Sequence, residues 1–250
     1  MSGLTLGLLG SGEFEPWAEE VDRWLLDHAG RGDGKVLILP TASAPEGDDV
    51  FDFWASKGLD HYRRLGVPAE VIPIKGREDA GRPEFASKLE DASGVFFSGG
   101  NPAALAEILS GTAFWRALVH AMHDGLAYGG CSAGVACLPQ MAPDSSVQTL
   151  EGIERDGWKP GLHLFSNVLF MPHWDALDGF LPGLTDWVVR SVPEGCTLLA
   201  IDENTAVVGD GDAWTVVGIG KVHELVGGSW RHHAASEDFE LHLVPGPGMG

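Results

Sequence analysis

The chain has 250 residues, 44% of them hydrophobic and 21% charged, the balance of an ordinary globular protein. Its 36 acidic residues against 16 basic ones give a formal net charge of -20. That argues against nucleic acid or an anionic membrane as the partner, since both require a basic footprint.

Short apolar runs alternate with helical patterns along the chain. LTLGLLG (4–10) reads as a strand that runs into the turn GSGE (10–13). PWAEEVDRWLLDHAG (16–30) has helical spacing with Gly30 as a stop, and KVLILPTAS (35–43) is a continuous apolar run of the kind buried on both faces of a sheet. A helix over 49–66, a strand over 69–74 and a short helix over 83–93 follow. GVFFSGGN (94–101) is a strand ending in glycines, and 102–125 is helical with a break at Ser110-Gly111. LAYGGCSAGVACLPQM (126–141) reads as strand, tight turn and helix. Farther on come the strand VLFMPH (168–173), a helix over 176–192, and strands over 197–218 joined by Gly-Asp turns. Alternating strands and helices predict a mostly parallel sheet covered on both faces.

The segment 1–243 is expected to form a single α/β domain, and the tail VPGPGMG (244–250) to be loosely ordered. The N-terminal stretch lacks a basic n-region and is expected to be a first strand and turn, not a signal peptide. No apolar run is long enough to predict a transmembrane helix. Three cysteines, Cys131, Cys137 and Cys196, show no CxxC spacing. Reduced thiols and a cytoplasmic location are the expectation.

Ligands of open parallel sheets sit at the carboxyl ends of the strands. Three glycine-rich turns fall there: GSGE, SGGN (98–101) and GGCSAG (129–134). The last fits G-x-S-x-G as Gly130-Cys131-Ser132-Ala133-Gly134. An elbow of this kind needs small neighbours because the strand-to-helix turn is sharp. Framed on Cys131 instead, the last position is Ala133, so the glycines favour Ser132 as nucleophile. A serine needs an adjacent base. Among ten histidines, His173 ends an apolar run at a sheet edge. His120 and His123 lie on the helix before the elbow strand, His163 lies in a loop, and His232 and His233 lie near the C-terminus.

FFSGGNPAAL, GGCSAGVACL, MPHW and AIDENTAVV, in that order, resemble the dipeptidase E / cyanophycinase family of serine peptidases over about residues 4–210. The resemblance implies a three-layer, doubly wound, mostly parallel sheet, which is class I glutamine-amidotransferase-like and flavodoxin-like. It implies Ser132 as nucleophile, His173 as base, and the N–H groups of Gly100 and Ala133 as oxyanion donors. It also implies a small peptide or amide as substrate, a homodimer, and neither metal nor cofactor.

The third catalytic member is open among Asp144, Asp202, Glu203 and Asp175, and the match of IDENTAVV favours Glu203. Asn101, Glu13, Asp175 and Trp174 are expected to contact substrate. The family's acidic substrates call for Arg or Lys. Here HWDALDGFLPGLTDW carries no basic residue before Arg190, which leaves Arg155 and Lys159 as nearest sources of charge and Trp158 and Trp174 as apolar walls. Two other readings compete: an amidase using Cys131, and a non-catalytic binding protein on the same fold. A Ser132–His173 gap beyond about 5 Å would mark the second. A phosphate-binding nest ranks below both, because GGCSAG lacks the Walker A lysine.

Overall fold

The computed structural model describes residues 3–249. Its first five strands are β1 (Thr5–Leu9), β2 (Lys35–Leu39), β3 (Ala69–Val71), β4 (Ala92–Phe97) and β5 (Ala127–Cys131). They pair in parallel in the order β3-β2-β4-β5-β1. Side chains of β1 alternate between two cores. Leu6 and Leu8 pack with the helices Pro102–Leu109 and Ala113–His123, while Leu9 packs with Val21, Leu25 and Tyr62 on the other face. Every residue of β1 is buried, Thr5 and Gly7 included, as a strand covered on both faces requires. Each of these leucines contributes about 2 kcal/mol through burial alone. The break expected at Ser110-Gly111 is present, with Thr112 capping the second helix through its side chain.

The two helices on the second face, Glu19–His28 and Asp48–Leu65, are tied by a buried polar cluster. Asp22, 2% exposed, holds His61 Nε2 at 2.7 Å and accepts from the Tyr62 hydroxyl at 2.7 Å. Asp22→Ala leaves both partners buried and unpaired, and a loss of about 3 kcal/mol is expected. A shift in the urea midpoint at constant slope measures it.

Beyond β5 the chain departs from a simple alternation. A ribbon pairs β6 (Met141–Pro143) with β7 (Trp158–Pro160). The strands β8 (Val168–Met171) and β9 (Thr197–Ile201) do not join the large sheet. They pair in parallel with each other and, with β12 (Lys221–Val226) and β13 (Ser229–Ala234), form a separate sheet in the order β13-β12-β9-β8. After β9 the chain crosses back, and β10 (Thr205–Gly209), β11 (Ala213–Gly218) and β14 (Asp238–Glu240) extend the large sheet antiparallel beside β1. The 197–218 run is therefore three strands in two sheets. Its first turn, Asp202-Glu203-Asn204, is the crossing between them.

Two expectations are corrected. The helix over 176–192 is two helices, Leu177–Phe180 and Leu184–Ser191, parted where Gly183 adopts φ 87°. The tail is not loose over 244–248. Gly246 and Gly248 donate to the Leu164 and His163 carbonyls, each at 2.8 Å, and Val244 is bonded to Asn167 and Ser166. The absence of a Cβ permits this, since one on Gly248 would lie 2.0 Å from the Leu162 carbonyl oxygen. Gly250 lies outside the described residues. Among the described residues, no helix is long and apolar enough to cross a membrane.

Candidate active site

Ser132 follows β5 with φ 51° and ψ -105°, a conformation that non-glycine residues rarely adopt. The turn is locked from both sides. Its N–H donates to the Leu9 carbonyl at 3.0 Å, and its carbonyl accepts from Val135 and Ala136. The flanking glycines make the close approach possible. A Cβ on Gly130 would lie 2.5 Å from the Gly134 oxygen, and one on Gly134 would lie 2.7 Å from the Phe97 oxygen. The helix behind the elbow, Ala133–Ala136, is a single turn, shorter than the sequence pattern suggests. Local N–H groups rather than a long dipole therefore face the site. Among the described residues, the Gly100 and Ala133 N–H groups have no backbone acceptor. The loop carrying Gly100 lies against the serine, and a Cβ on Gly99 would stand 3.5 Å from that of Ser132.

The second sheet delivers the partners. His173, two residues past β8, adopts the left-handed region at φ 56°. Its Nε2 lies 2.8 Å from Ser132 Oγ, and its Nδ1 lies 2.9 Å from Glu203 Oε1. With Nδ1 protonated, the ring donates to Glu203 and accepts the serine hydroxyl proton. The separation is well inside the 5 Å that would mark a disassembled site. Glu203 sits in the crossing between the sheets. Its own N–H donates to Asp175 Oδ1 at 2.8 Å, and the Asn204 N–H donates to Ser11 Oγ at 3.0 Å.

The other acidic residues are engaged elsewhere. Asp202 accepts from the Lys221 N–H and holds His223 Nε2 at 3.0 Å, so it faces away from His173. Asp144 binds Asn101 and Ser146, not the histidine. Asp175 supports the Glu203 backbone.

Three residues expected to meet substrate have different duties. Glu13 is 4% exposed, and its two oxygens accept from the Gly99 N–H at 2.8 Å and the Cys131 thiol at 2.9 Å. It braces the SGGN loop. Asn101 caps the helix Pro102–Leu109, accepting from the Ala103 and Ala104 N–H groups. Trp174 turns toward Trp230 and His223 on β12 and β13. Arg155 pairs with Asp156 on the surface, and Trp158 stacks behind Trp187. His120 and His123 are solvent-exposed or paired on the outer helix, and His163 holds the tail.

Cys131 is fully buried, and burial together with the Glu13 charge pushes its thiol well above the ordinary range. It is therefore protonated and out of reach, which removes the geometric basis for a cysteine amidase. Iodoacetamide on the folded protein at neutral pH is expected to leave Cys131 unmodified and to alkylate only the half-buried Cys196 to any extent, as read by peptide mass. Alkylation of Cys131 before unfolding would contradict this.

Ser132 and His173 open onto a cavity of about 600 Å³ whose wall comes from five segments: Gly100, Pro143–Gln148, Ile153, Met171–His173 and the helices between Leu177 and Val188. Sequence reading missed most of this wall. The period of Leu177, Phe180, Leu184, Trp187 and Val188 was a signal for an apolar face, but not for what it faced.

A serine in a strained strand-to-helix turn at the edge of a mostly parallel sheet, hydrogen-bonded to an imidazole that meets a carboxylate, is the arrangement a serine-type hydrolase requires. The family model of peptidase family S51 matches residues 6–217. The chain belongs to that family of serine-type peptidases. It is 26% identical over 245 residues to a cyanophycinase from Trichormus variabilis, an alignment covering 94% of this chain and 79% of that protein. Among solved structures, it is similar to a peptidase from an acI-B1 actinobacterium at 32% identity and a TM-score of 0.86. That match covers 96% of this chain and 98% of the other. A protein assigned as a Peptidase E from Listeria monocytogenes EGD-e shares the fold at 19% identity and a TM-score of 0.60, over 86% of this chain and 98% of that one.

Proposed function

We propose that the protein hydrolyses small peptides or amides through an acyl-enzyme on Ser132, with His173 as base and Glu203 orienting the imidazole. The observation that carries this is the unbroken chain from Ser132 Oγ to His173 Nε2 and from His173 Nδ1 to Glu203. Ser132 Oγ attacks the carbonyl carbon while its proton passes to Nε2. The carbonyl oxygen becomes an oxyanion, toward which the free N–H groups of Gly100 and Ala133 are available. One such donor is worth about 3 kcal/mol at the transition state. As the tetrahedral species collapses, the C–N bond breaks and His173 returns its proton to the departing amine. Water, deprotonated by the same nitrogen, then attacks the ester and frees Ser132. Glu203 stabilises the imidazolium in both halves without taking the proton.

A fluorophosphonate probe tests this on the intact protein. A single adduct mapped to Ser132, absent from Ser132→Ala and His173→Ala, is the expected result. An unlabelled folded wild type, or an adduct elsewhere, would overturn the proposal.

A further inference from the structure

The cavity beside Ser132 is divided by chemistry. Ile153, Met171, Leu177, Leu184 and Trp187 make most of its wall, and Phe180 stands at its mouth, edge-on to His173 at 5.6 Å and 63% exposed. Among the described lining residues there is no Lys or Arg, and apart from His173 the one ionisable side chain is Asp144. An anionic substrate side chain would find no counter-charge there and would meet a carboxylate.

Asp144 has a spare oxygen. Asn101 Nδ2 at 2.9 Å, the Ser146 N–H at 3.1 Å and Ser146 Oγ at 2.7 Å all bond to its Oδ1. Among the described residues nothing donates to Oδ2. Burial raises the carboxyl's affinity for a proton, but bonds from Ser146 and Asn101 and the charge of Lys159 outweigh that, so it stays ionised below its usual range. Its position is informative as well. Asp144 lines the same cavity as Gly100 and Ser132, and it is bonded to Asn101, the residue after Gly100. A cation held there shares the cavity with the carbonyl under attack. A lysine or arginine side chain would have to leave the apolar wall and bend back to reach it, whereas an α-amino group is one carbon from that carbonyl.

We infer that this site takes peptides or amides with a free α-amino group on a large apolar residue, the ammonium held by Asp144 Oδ2 and the side chain packed against Leu177, Leu184 and Trp187. The acyl half of the substrate is then a single N-terminal residue, and the enzyme removes it. This rests on Ser132 being the nucleophile.

Aminoacyl coumarin amides of Leu, Phe, Gly, Asp and Lys, and the N-acetyl-Leu amide, test it with the wild type and Asp144→Asn. For the wild type, Leu and Phe amides should exceed the Gly amide in kcat/KM by about tenfold or more, as apolar pockets discriminate. They should also exceed the Asp and Lys amides. The Leu amide should exceed its acetylated form by about tenfold, in keeping with a charge-assisted bond to a part-exposed carboxylate. In Asp144→Asn that preference for the free amine should collapse toward unity, mainly through KM. A merely structural role for Asp144 would lower both substrates together and overturn the inference. Preference for the Asp or Lys amide, equal rates with and without acetylation, or turnover of none of these amides also overturns it. In each of those cases, fluorophosphonate labelling of wild-type Ser132 shows that the hydrolase reading stands. If Ser132 takes no label, both fall.

Discussion

Ser132→Ala is expected to lower kcat on a cleaved amide by about a millionfold, His173→Ala by nearly as much, and the double variant to be no worse than either. The reason lies in how the two atoms share one proton. Without Nε2 at 2.8 Å the hydroxyl is a poor nucleophile, and without the hydroxyl the imidazole has nothing to activate. Each change alone removes the covalent route, so the losses do not multiply. In every variant a residual rate is expected to remain, supplied under this proposal by the Gly100 and Ala133 N–H groups and substrate binding. Single-turnover rates for the two single variants and the double measure this. Losses that multiply would show that Ser132 and His173 act independently.

Glu203→Gln is the second large effect, with kcat expected to fall about ten-thousandfold at little change in KM. The amide is nearly the same shape as the carboxylate, but it can present an N–H to Nδ1. That favours the tautomer with the proton on Nε2, where the ring cannot accept from Ser132. It also removes the negative charge that stabilises the imidazolium. Asp202 is one residue away and is the sharpest control. Its oxygens are taken by the Lys221 N–H and His223, so Asp202→Asn is expected to change kcat less than tenfold. A larger loss at Asp202 or Asp144 than at Glu203 would move the third catalytic position to that residue.

The parallel half of the fold was legible because β2 is a continuous apolar run and β1, β4 and β5 are short runs of apolar and small residues, the composition of strands buried on both faces. The second sheet was not. Its β13, SWRHHA, is an exposed edge rich in charged and histidine side chains, and the neighbouring β12, KVHELV, carries Lys, His and Glu among its apolar residues. Nothing in the run 197–218 says that its strands part company at Glu203. The elbow was legible because Gly130 and Gly134 are required by close backbone approach, a steric constraint that leaves its mark on sequence. Glu13 and Trp174 were misjudged for one shared reason. Placement at a strand end says that a residue is near the site, not which way its side chain turns. For Asn101 a better signal was present, since Asn followed by Pro at the first helical position is the pattern of a capped helix. The cavity wall was illegible because it is assembled from segments some ninety positions apart, from Gly100 to Val188.

Ser132 belongs to the large sheet, while His173 and Glu203 hang from the edge of the smaller one. The hydrogen-bonded line between them is thus a property of a junction, and it reports whether the two sheets are docked. Val168, Phe170, Leu199, Ile201 and Val222 of the smaller sheet are buried in one core with strands of the large sheet, but the two sheets share no strand-to-strand ladder. As urea rises, turnover is expected to vanish first, amide protons of β8 and β9 to exchange next, and those of β1 and β5 to hold out until the whole chain opens. Inactivation is then expected to begin at the junction, before the parallel core opens.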